Sequence, residues 1–223
     1  MGVEGKKKGA LRRHDIHFSF LINLHYGEYI MSTNAIVAYV ELDGTVTSSY
    51  VHWDGYTTGV GEMLLENYNT DKCARELATT LGYASSLSET VAKSHEDRAN
   101  SDEAIVHASF AEFEEYAREN SYLEYVYVWT STKWFVGSYT TEKKEVFTGE
   151  GRDYEFTDTW NGWEELVTVY IREGNETVER YKKMVSDGRV GVEYLEHARE
   201  LNNSVTKWMR IAMKRITREV LAA

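Results

Sequence analysis

Two short β-branched and aromatic runs, residues 35–41 and 45–53, flank Asp43-Gly44, a dipeptide that favours a tight hairpin turn. The pattern changes near Gly61. Met63, Leu64, Tyr68, Cys73, Leu77 and Leu81 then recur at helical spacing, with a break near Asn69 and a stop at Gly82. The stretch "SSLSETVAKSHEDRANSDEA" is polar and reads mostly as loop. Ser109 and Glu112 have capping-box spacing ahead of "FAEFEEYAREN". The run "LEYVYVWTSTKWFVGSY" reads as a second hairpin turning at 130–133.

Beyond residue 140 the pattern predicts helices: one initiated at Asn161, and three more over "NETVERYKKMVSDG", "VEYLEHARELNN" and "SVTKWMRIAMKRITREVLAA". The expected fold is therefore α+β, an antiparallel sheet built from two hairpins, with packed helices and a helical C-terminal part. Three regions are expected: a basic N-terminal extension or arm over 1–30, an α+β core over 31–140, and a mainly helical region over 141–223. Residues 1–30 do not suit a secretory signal, because Asn23, His25 and Glu28 interrupt their apolar part.

At 223 residues and 42% hydrophobic content the chain can bury one good core. No apolar run is long enough to predict a membrane span. The lone cysteine, Cys73, cannot form an internal disulfide and reads as a helix-face hydrophobe. Proline is absent, so turns depend on Gly, Asn, Asp and Ser. The net charge of −11 is unevenly distributed. Residues 204–223 carry five Lys/Arg against one acid, whereas residues 31–203 carry 15 against 32. Such a body disfavours nucleic acid and favours basic protein partners.

The densest candidate chemistry lies in "YVHWDGYTTGVGEML", residues 50–64. Gly55 permits a positive φ after the strand, Thr57 or Thr58 can cap the following helix, and Gly59 and Gly61 leave its first turn uncrowded. Amides at such a helix start can hold a phosphate or carboxylate. His52 and Asp54 fall on one face of an extended strand, the arrangement of a general base or metal ligand beside a carboxylate. Three readings stand open. The turn is a structural corner with Trp53 and Tyr56 packing it, a binding site formed by His52, Trp53, Asp54, Gly55, Tyr56, Gly59 and Gly61, or a catalytic site using His52 and Asp54.

The opening "MSTNAIVAYVELDGTVTSSYVHWDGYTTGVGEMLLENYN" resembles a family of uncharacterised bacteriophage proteins with a His-Trp-Asp-Gly-Tyr-Pro signature. The matching residues are His52, Trp53, Asp54, Gly55 and Tyr56, with Thr57 in place of the family's proline. Similarity continues through "LGYASSLSE" and "FEEYARENSYLEYVYVWTSTKWFVG", roughly residues 31–137. The resemblance implies a phage protein acting in the host cytoplasm or the virion, and brings no defined activity with it.

Elsewhere the signals are weaker. His95, Glu96, Asp97 and Arg98 form a polar cluster, and His14 and His17 could meet on one helical turn, but neither set completes a metal site. Tyr125, Tyr127, Trp129, Trp134 and Phe135 could stack bases, yet Glu112, Glu114, Glu115, Glu119 and Glu124 precede them and oppose phosphate binding. No cofactor or metal motif is present. The expected function is an acidic, non-enzymatic accessory protein binding a host or phage protein. The alternatives are a small enzyme or ligand-binding domain at His52/Asp54, and a virion component. The basic amphipathic segment 204–223, with Val205, Trp208, Met209, Ala212, Ile216 and Val220 as its apolar stripe, is expected to dock on this chain or to join copies in a homo-oligomer.

Overall fold

The computed structural model describes residues 33–95, 102–120, 123–148 and 151–222. The expectations for 1–30, for His14 and His17, and for Glu96, Asp97 and Arg98 lie outside these residues. The fold is α+β. Seven strands form one mixed sheet among the described residues, with helices packed on it and a helical C-terminus.

Strand β1, Ala35–Val40, pairs antiparallel with β2, Val46–Val51, through the Asp43-Gly44 turn. The Asp43 carboxylate accepts from the Thr45 amide at 3.0 Å and its hydroxyl at 2.7 Å, fixing the hairpin end. The second hairpin joins β5, Tyr125–Thr130, to β6, Lys133–Thr148.

The expectation of a purely antiparallel sheet is corrected at the junction of the hairpins. β1 lies beside β5 in parallel, Ala35 opposite Tyr125 through Tyr39 opposite Trp129. Turn residues determine antiparallel neighbours locally, whereas a parallel pair needs a crossover, here the helices between β2 and β5. The run Ala35–Val40 is almost wholly buried, as suits a central strand covered on both faces.

A second correction concerns the region beyond residue 140. β6 continues to Thr148 and returns as β7, Gly151–Glu165. Asn161 starts no helix. It sits at a bulge, next to Gly162 at φ +82°, and its side chain bonds Ser138 and Thr140 across the ladder. The nearby indoles are held by tertiary contacts: Trp163 packs against Phe110 and Phe113 and donates to Glu114 at 2.8 Å. Packing overrides the local helix signal.

On the sheet edge, β2 also pairs with β3, Tyr83–Ala84, and with β4, Ile105–His107. A π-helical turn, Thr57–Gly61, runs into α1, Glu62–Asn67, followed by α2, Asp71–Thr80, capped by Thr70. The short α3, Val91–Ser94, falls inside the stretch expected to be loop. Ser109 caps α4, Phe110–Glu119, as its spacing predicts. The remaining three expected helices, together with part of the one expected from Asn161, merge into two: α5, Leu166–Ser186, and α6, Tyr194–Ala222. They approach closely at Gly174, where a Cβ would come 2.5 Å from Val205 Cγ2.

Candidate functional site

The 50–64 stretch leaves β2 and turns into the π-helical segment. His52 and Trp53 extend the edge pairing, their amides donating to Ala84 at 3.0 Å and Ser85 at 2.8 Å. The His52 ring shares a 3.2 Å hydrogen bond with the Tyr50 hydroxyl and lies edge-on to Trp53, centroids 4.5 Å apart.

The reversal occurs one residue earlier than expected. Asp54, not Gly55, takes the positive φ, at 60°. Aspartate tolerates this left-handed conformation better than most side chains. Gly55 is required for a different reason: a Cβ there would lie 2.6 Å from the Thr33 carbonyl oxygen. The Gly55 amide donates to that carbonyl at 2.8 Å, and the fully buried Tyr127 hydroxyl donates to the Gly55 carbonyl at 2.7 Å. The turn is thus bonded to the chain entering β1 and to the centre of β5.

The Asp54 carboxylate accepts from the Tyr56 hydroxyl at 3.1 Å, and its carbonyl accepts from the Val60 amide at 2.8 Å. His52 and Asp54 therefore have separate tyrosine partners. Burial, then the Asp54 charge, pushes the Tyr56 phenol far above its ordinary pKa, so it stays a donor.

Neither threonine supplies the expected cap. Tyr56 holds the N-cap position with no side-chain bond, and the buried Thr57 hydroxyl donates to Glu173 of α5. Burial raises the Glu173 pKa, partly offset by that bond. Amides at the helix start are already engaged: Gly59 and Gly61 donate to the Tyr56 carbonyl at 3.0 and 3.3 Å, and Val60 to Asp54. Gly59 has no room for a Cβ, which would meet the Asp54 carbonyl at 2.3 Å. Gly61 is buried under Leu166. The sequence gives no hint of Glu173, which lies 116 residues from Thr57.

A second region, which no sequence motif marks, lies on the β2 edge. β4 pairs only with β2 among the described residues, and it is anchored by buried His107, which shares a 2.9 Å hydrogen bond with Ser48. Burial holds the His107 pKa below its ordinary value. Ile105 and Val106 stay 45% and 66% exposed, and Leu42 in the adjoining turn is wholly exposed. Beside them is an open depression of 470 Å³ whose lining includes Glu41, Asp102, Glu103 and Val106, with Arg75 as its cation. Arg75 is bonded to Glu41 at 2.8 Å. Two adjacent β-branched residues following acids were the available sequence signal.

The aromatic hairpin is core rather than a stacking platform: Tyr127, Trp129 and Trp134 are buried. Among the described residues no three His, Cys, Asp or Glu side chains gather as a metal site, and no helix is long and apolar enough to cross a membrane. No family model, curated protein or solved structure matches the chain.

Proposed function

We propose that this chain is a phage-encoded, non-enzymatic accessory protein that binds an extended basic segment of a host or phage protein along β4. The observation that carries this reading is the exposed Ile105-Val106 edge beside Glu41, Asp102 and Glu103. An edge strand offers main-chain donors and acceptors to an added strand, and flanking side chains choose the partner. Here apolar side chains supply contact area and carboxylates favour lysine and arginine. The His52–Gly61 turn serves as the corner that fixes β1, β5 and α5, and the resemblance of that turn to phage sequences supports the viral assignment.

The test is a fluorescence-anisotropy titration with an alternating Lys/Val peptide. The wild type should bind it, more weakly as salt rises. Glu103→Gln/Ile105→Ser/Val106→Ser should lose at least tenfold in affinity with its fold intact. Equal binding by wild type and triple variant would refute the proposal.

A further inference from the structure

Helix α6 docks on the body through Ala198, Leu201, Val205 and Trp208, which are buried, whereas Met209 and Ile216 of the expected stripe stay exposed. Where α6 passes the end of α1 and the 130–133 turn, it leaves a cavity of 220 Å³. Leu65, Trp134, Val167 and Trp208 form the apolar side of its lining. The Trp134 and Trp208 indoles donate to the Tyr68 carbonyl and to Glu66, so that side offers a ligand carbon rather than free donors.

The polar side is a carboxylate shared by two cations. Glu165, at the end of β7, pairs with Lys133 at 3.0 Å through one oxygen and with Arg215 through the other, and all three residues line the cavity. One negative charge between two positive ones leaves a positive balance. The Lys133 and Arg215 side chains are each 39% exposed, so both stay within reach of a ligand. Arg215 is not saturated by its own chain: its buried Nε has no hydrogen-bond partner among the described residues. Glu219 stands 3.7 Å from that atom, but its side chain is 68% exposed and such a solvated pair neutralises little. Residues 204–223 carry five cations and one acid, so the surrounding field reinforces the balance in a chain of net charge −11.

We propose that this cavity binds a small aromatic monocarboxylate, its ring against Leu65, Val167 and Trp208 and its carboxylate on Lys133 and Arg215. Volume sets the size of the ligand. A cavity of about 150 Å³ holds benzene, so 220 Å³ takes one ring with its carboxylate and is too small for a nucleotide. Charge sets the valence. One further negative charge completes a set of two cations and two carboxylates, whereas a dianion would be repelled by Glu165. The inference does not rest on binding at β4, whose residues take no part in this cavity.

The test is isothermal titration calorimetry of the full chain at low salt with benzoate as the probe. Benzyl alcohol, which lacks the charge, and acetate, which lacks the ring, serve as controls. Benzoate should bind one to one with a dissociation constant of about 1 mM or tighter, and each control at least tenfold more weakly. Lys133→Gln/Arg215→Gln should lose at least tenfold in benzoate affinity. Ala212→Phe, which fills the cavity and leaves every charge in place, should abolish binding whether or not the charge variant folds. Circular dichroism melts establish that each variant is folded. The inference is overturned by no saturable heat from benzoate up to ~10 mM, by benzyl alcohol binding as tightly as benzoate, or by undiminished affinity in either folded variant.

Discussion

Gly55 shows how one residue position can be legible in sequence while its reason is not. A glycine after a strand points to a turn, but the positive φ belongs to Asp54 and the glycine is needed for the approach of Thr33. Gly55→Ala should therefore destabilise by about 1–3 kcal/mol through overpacking, read as a lower urea midpoint. Tyr127→Phe leaves the buried Gly55 carbonyl without its donor and should cost about 1–3 kcal/mol. His52 and Asp54 are visible as candidates, but their partners, Tyr50 and Tyr56, are not separable from the other fourteen tyrosines by sequence alone. His107 is not legible in the sequence, because a lone histidine beside apolar residues carries no periodic signal. Its folded pKa is depressed, so the unfolded chain takes up the proton first as pH falls below 6.5. Stability should thus drop on acidification through that region, and His107→Gln should flatten the drop in a series of melts.

At the scale of elements, local chemistry was readable and long-range pairing was not. The Asp43-Gly44 hairpin, the 130–133 turn and the Ser109 cap depend on neighbours within a few residues, and all three form. The parallel β1–β5 contact and the long β6–β7 ladder depend on residues brought together by folding, and Trp163 stacking on α4 decides what the helix pattern near Asn161 left ambiguous. The same limit applies to α6, whose amphipathic pattern predicted docking but not which apolar residues face the body. Trp208 anchors it, buried and bonded to Glu66. Trp208→Ala should cost about 3–5 kcal/mol in chemical denaturation. Added salt should reproduce little of that loss, because packing rather than the Lys207 and Arg215 ion pairs supplies most of the docking energy.

For the whole molecule, the His52–Gly61 corner is bonded to the chain entering β1, to β5 and to α5, while Ile105 and Val106 stay exposed beside carboxylates at β4. Composition raises the expectation of basic partners but gives no sign of the edge, because β4 is only three residues long and follows a polar stretch. Amide hydrogen exchange on the full chain, with and without the Lys/Val peptide, tests the central claim most directly. Slowed exchange at residues 102–107, with amides of 52–61 unchanged, is the predicted result. Protection confined to 52–61, with no change along β4, would contradict the account and return the function to the turn.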